Sequence, residues 1–207
     1  MRRLLTIAVI VLLGTGAAFA DWGMWEADRS WIAVDNGTTI DWYSLWNETP
    51  GTFDGAFLGV YAPADTLAID AYDVKTWKTD PSDVTGAEYF YTVYPFANRP
   101  AEPVFTSLGS AVLLDDDMGD GAGGNQKWGI SDSIGADLLT GLSGVGTFTV
   151  EVYGRVDGLS PDQSIFDNNN NPAGNYQATF TLVPEPATWA LMVLGGCLLA
   201  IRRRTSR

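Results

Sequence analysis

The stretch Gly146-Thr147-Phe148-Thr149-Val150-Glu151-Val152-Tyr153 decides the fold class. Its apolar residues recur at every second position, which sends Phe148, Val150 and Val152 to one face of a strand. Thr149, Glu151 and Tyr153 go to the other. Tyr176-Gln177-Ala178-Thr179-Phe180-Thr181-Leu182 repeats the pattern. Upstream, Ser30 to Asp35 and Thr38 to Tyr43 are β-rich runs joined at Asn36-Gly37, a strong short-range hairpin signal. Leu67-Ala68-Ile69 with Val74 to Trp77 reads as a strand or a pair, and Val84 to Tyr94 as an aromatic, β-branched strand. Between the chain's two ends, no stretch keeps a 3.6-residue period long enough for a major helix; Asp137-Leu138-Leu139 could form one turn. Trp22 to Arg29 reads as an irregular lead-in, and Asn168 to Asn171 as a loop tip joining the last two strands. The expectation is an antiparallel β-sandwich of about seven to nine strands.

The ends are different in kind. Met1-Arg2-Arg3 is a basic start, and Leu4 to Leu13 is apolar except for Thr6. Ala18-Phe19-Ala20 then places small residues two apart, just before Asp21. These are the three parts of a secretory signal, so residues 1–20 are expected to form a signal helix cleaved after Ala20, with Ala18 and Ala20 as the recognition pair. At the other end, Pro184-Glu185-Pro186 precedes an apolar run from Ala187 to Ile201, and Arg202-Arg203-Arg204 follows. Fifteen helical residues rise only ~22 Å against a hydrocarbon core of ~30 Å, which makes a short, marginal transmembrane helix. The arginines hold it with its basic end in the cytoplasm, leaving the prolines at the outer face. Proline keeps the backbone there from joining the helix. The chain thus divides into a signal peptide (1–20), an exported body (21–183) and a tail (184–207).

This tail resembles the PEP-CTERM sorting signal of Gram-negative bacteria: a Pro-Glu-Pro triplet, a short transmembrane stretch and a basic terminus, in that order at the C-terminus. The match covers Val183 to Arg207. The resemblance implies recognition by an exosortase, a membrane-embedded transpeptidase-like enzyme, with Pro184, Glu185, Pro186, Arg202, Arg203 and Arg204 as the sorting residues. It also implies association with exopolysaccharide, biofilm matrix or the cell surface. The partners expected are therefore signal peptidase and exosortase during export, the inner membrane transiently, and a polysaccharide outside. A permanent single-span anchor is the plainer alternative. Cys197 in the tail reads as a small buried residue rather than a lipidation site.

Charge narrows the function of the body. The whole chain carries −13, but six of its twelve Lys and Arg sit at the ends. The body keeps six cations against 24 carboxylates, which repels nucleic acid and anionic lipid. There is no histidine in the chain, and its one cysteine lies in the tail. That removes imidazole bases, imidazole zinc ligands and thiol chemistry from the body. With so many carboxylates, some pair will always suit glycoside hydrolysis, so that signal has almost no specificity. The expectation is a non-catalytic protein of display or adhesion. A carbohydrate-binding module is the alternative, and a carboxylate-based hydrolase a third.

Two side-chain groups merit testing. Asp115-Asp116-Asp117-Met118-Gly119-Asp120 offers Asp115, Asp117 and Asp120 to calcium, which takes about six to eight oxygens. Against this, the glycine falls one place early for an EF-hand and no glutamate closes the loop; a solvated acidic turn explains the run as well. The loop from Asp162 to Asn175 offers Asp162, Asp167 and several asparagines to calcium, and a glycine-closed hairpin explains it equally well. No other cofactor is expected. Seven of the eight tryptophans lie in the body, and Trp42, Trp46 and Trp77 are candidates for stacking on sugar rings, core packing being the plainer role.

Overall fold

The computed structural model describes residues 22–24, 30–46, 51–78, 84–116, 125–158, 164–168 and 175–185. These residues are all β, in thirteen strands and two sheets. In chain order the first seven are β1 (Trp22–Met24), β2 (Ser30–Asp35), β3 (Ile40–Ser44), β4 (Phe57–Tyr61), β5 (Ala68–Lys78), β6 (Val84–Pro95) and β7 (Thr106–Ser110). Then come β8 (Val112–Asp115), β9 (Asn125–Ile130), β10 (Ala136–Asp137), β11 (Gly146–Gly158), β12 (Ser164–Asp167) and β13 (Tyr176–Leu182).

Each sheet is organised on one long strand. In the seven-stranded sheet, ordered β3-β2-β5-β9-β8, strand β5 has eleven residues and takes two neighbours along each edge. Strands β2 and β1 share one edge, and β10 and β9 share the other. In the six-stranded sheet, ordered β4-β13-β11-β6-β7, strand β11 has thirteen residues. It pairs with β6 along one edge, and with β13 and then β12 along the other.

The inner faces meet in a single sandwich-like core. Ile32, Val34, Tyr72 and Val74 from one sheet oppose Tyr89, Val150, Val152, Val156 and Phe180 from the other, all essentially inaccessible to water. The Tyr72 and Tyr89 rings meet across the gap with centroids 4.7 Å apart, and Phe148 stacks on Phe180 at 5.7 Å. Each such side chain removed from water contributes about 1.5–3 kcal/mol. At the hairpin between β2 and β3, Gly37 has φ +81°, and the Asn36 Oδ1 accepts from the backbone N–H groups of Thr38 and Thr39. Asn36-Gly37 therefore turns the chain as the sequence predicts.

Three expectations need correction. The described residues form thirteen strands rather than seven to nine; the shortest, β1 and β10, have three and two residues and pair only with β5. Trp22 to Met24 is accordingly a strand, not an irregular lead-in. Of the two readings open for Leu67–Ile69 and Val74–Trp77, the single strand holds: Ala68 to Trp77 lie in one long strand, β5, with Leu67 just before it. The sheets are not wholly antiparallel: β4 lies parallel to β13, a pairing open to strands far apart in the chain. Among the described residues no helix is long and apolar enough to cross a membrane. The segments expected to be signal and tail helices, 1–20 and 187–201, lie outside them.

Candidate functional site

The outer face of the six-stranded sheet departs furthest from the sequence reading. On β11 the residues opposite the core are Thr149, Glu151, Tyr153, Arg155 and Asp157, and alternation alone would leave them all in water. Instead Glu151 is fully buried and Thr149 nearly so. The chain between β6 and β7, residues 96–105, lays Arg99 and Phe105 over this row.

Arg99 grips the Glu151 carboxylate with both arms of its guanidinium, Nε to Oε2 at 2.9 Å and Nη2 to Oε1 at 2.8 Å. Tyr94 donates its hydroxyl to Oε2 at 2.6 Å, Asn175 donates Nδ2 to Oε1 at 2.8 Å, and Gln177 approaches Oε2 at 3.5 Å. The register explains the convergence: Gln177 stands directly opposite Glu151 on β13, and Tyr94 is one row away on β6. Burial pushes the Glu151 carboxyl up, but the bonds from Arg99, Tyr94 and Asn175 outweigh it and hold the group below the usual carboxylate range. Burial and the neighbouring Glu151 charge push the Tyr94 phenol up to about 12. An anion clamped this way stays ionised at neutral pH, so Glu151 orders the surface rather than moving protons.

Beside this clamp lies an aromatic group. Phe90 of β6 stacks on Tyr153 of β11 at 5.0 Å, and Phe105 meets Tyr153 edge-on at 4.9 Å. Phe166 of β12 stands 6.4 Å from Tyr153 and is 54% exposed. Arg155 reaches over the Phe90 ring at 5.8 Å while bonding Glu88 and Asp157, each at 3.2 Å. Ser107 donates to the other Glu88 oxygen at 2.5 Å, and Ser164 to Asp157 at 2.6 Å. Polar groups are thereby fixed around the aromatic rings on four neighbouring strands.

A second carboxylate is buried between the sheets. Asp167 of β12 accepts hydroxyls from Tyr89 at 2.7 Å, from Tyr176 at 2.8 Å and from Ser30 of the opposite sheet. Gly154 makes this reach feasible. It pairs with Tyr89 on one side and Asp167 on the other, and a Cβ there would stand 2.4 Å from the Tyr89 ring. The missing side chain lets Tyr89 lie across β11 to its acceptor. Asp167 is therefore placed as a link between sheets rather than as an exposed loop ligand for calcium.

The residues singled out from sequence lie elsewhere and apart. Trp42 and Trp77 share the outer face of the seven-stranded sheet, where Trp42 is 44% exposed. Trp42 aligns with Ala33 and Ala71, whereas Trp77 is six positions further along β5, a displacement of about 20 Å. Trp77 packs over Gly23, whose Cβ would meet its ring at 2.8 Å. Trp46 follows β3 at a bend where the Ser44 hydroxyl bonds its backbone, so the three form no common platform. Asp115 is exposed at the end of β8, and its neighbour Asp116 pairs with Lys78 at 2.8 Å and accepts from Gln126 at 2.9 Å. Those bonds, Lys78 first, lower the Asp116 carboxyl. Asp117 and Asp120 lie outside the described residues, among which no three acidic, His or Cys side chains gather as a metal site. Ala18, Ala20, Pro186, Arg202, Arg203 and Arg204 also lie outside them; Pro184 and Glu185 follow β13 after one residue, Val183. Sequence reading missed Arg99, Phe105, Phe90 and Phe166; the available signal was that two of the body's six cations, Arg99 and Arg155, accompany aromatic-rich strands. No protein-family model, curated protein or solved structure matches this chain.

Proposed function

We propose that the chain is an exported, non-catalytic protein of the cell surface or exopolysaccharide matrix, working by display or adhesion. On this reading signal peptidase removes residues 1–20 as the body crosses the inner membrane. The helix at 187–201 is held there transiently, and an exosortase acts at Pro184-Glu185-Pro186. The single observation that carries the reading is the order of parts along the sequence, an acidic body between a secretory signal and a proline-marked, arginine-stopped apolar tail.

The end of the fold supports it. Strand β13 finishes at Leu182, and just beyond it the Val183 N–H donates to the Tyr61 carbonyl at 2.8 Å. Pro184 comes next and Glu185 is exposed, so a cut at the triplet would remove none of the strands among the described residues. Replacing Pro184 and Pro186 together with alanine is expected to leave full-length protein in the inner-membrane fraction. Mass spectrometry showing normal trimming of that variant would overturn the exosortase route.

A further inference from the structure

We propose that the outer face of the six-stranded sheet, around Phe166, Tyr153 and Arg155, binds a neutral polysaccharide chain. This deepens the display reading and rests on it, because such a ligand is met outside the cell. The face spans strands β12, β11, β6 and β7, about 14 Å from first to last, which is room for a short run of sugars.

Three properties favour a sugar. Phe166 offers an exposed ring, and Tyr153 and Phe90 extend the apolar surface beside it, suiting the C–H face of a pyranose. Around the rings, Arg155, Glu88, Asp157, Ser107 and Ser164 are held by one another across the strands. Donors and acceptors already fixed in pairs suit vicinal hydroxyls, and little side-chain freedom is lost when they engage. The third property is charge. Arg155 is already matched by Glu88 and Asp157, and the body around it carries four carboxylates for each cation, which disfavours uronate or phosphate chains. A protein partner fits poorly: a stable interface covers ~800 Å² on each side, and here it would have to desolvate the charged groups that ring a small apolar patch.

The test uses the full chain in mild detergent, run on native gels cast with a β-glucan, a galactomannan, dextran or alginate. Retardation is expected in at least one of the neutral gels and not in alginate. Phe166→Ala and Arg155→Gln should each weaken that retardation about tenfold at unchanged Tm, while Phe57→Ala, an exposed ring on β4, should leave it intact. No retardation in any neutral gel, stronger retardation in alginate, or full retention by both variants would overturn the proposal. Fractionating cells that carry Phe166→Ala separates the two readings. Normal export and trimming with lost glycan retention tests the site alone, whereas mislocalised wild-type protein that still binds the gel removes the display reading and leaves the site standing.

Discussion

Glu151 and Asp167 are both carboxylates sealed from water, yet the fold holds them by opposite means. Glu151 lies on the outside of a sheet and is covered by an arriving loop, whose Arg99 supplies a countercharge. Asp167 lies between the sheets and is gripped by hydroxyls, one of them from the facing sheet. The first arrangement fastens a loop to a surface; the second fastens two layers together. An anion at the rim can be partnered by a long cation that keeps its own tip wet, and the Arg99 side chain is 40% exposed. At the centre, the hydroxyls of two buried tyrosines and one buried serine do the same work.

The contrast predicts unequal costs. Asp167→Ala should be the most damaging, at about 3–4 kcal/mol in urea denaturation, because it strands several buried hydroxyls together. Asp167→Asn, which retains an acceptor, should lose less, and equal losses would mean that the charge rather than the acceptor geometry matters. Arg99→Ala comes next, at about 2 kcal/mol; solvent reaching the exposed guanidinium trims the larger cost of breaking a fully buried pair. It should also change the acid limb. The Glu151 carboxyl lies below its unfolded value, near ~4.3, so its stabilisation is complete above that pH and fades as pH falls through the lowered folded value. Without Arg99 the fading should begin at higher pH, and superimposable acid profiles for the variant and the wild type would refute the clamp. The smallest effect belongs to Tyr94→Phe, at about 1 kcal/mol for one hydroxyl bond. The difference between spectroscopic titrations of the wild type and of Tyr94→Phe should meanwhile show a phenol that ionises only near pH 12, as burial and the Glu151 carboxylate require of Tyr94.

How far the sequence reaches can be judged strand by strand. Phe148, Val150, Val152 and the row from Tyr176 to Leu182 declared their inward faces, because a half-buried strand imposes a two-residue period on its own sequence. Asn36-Gly37 likewise carried its turn locally. Strand β10 could not be seen: two residues have no period, and their pairing depends on Ala68 and Ile69 far upstream. Glu151 misled for a related reason. Its position in the alternation pointed outward correctly, but what covers it is an arginine 52 residues earlier in a proline-rich loop. Gly154 was equally silent, since the need for empty space there comes from a tyrosine on the neighbouring strand.

The parallel pairing of β4 with β13 has a consequence for the order of assembly. Strand β4 ends at Tyr61, but its sheet neighbour starts only at Tyr176, so a chain emerging from its N-terminus carries β4 unzipped for most of its passage. During that interval Phe57 and Val60 sit on a strand with free backbone groups, the kind of segment that recruits other chains. Closure of the six-stranded layer has to wait for nearly the last residues of the body, long after Asp137 has completed the strands of the facing sheet.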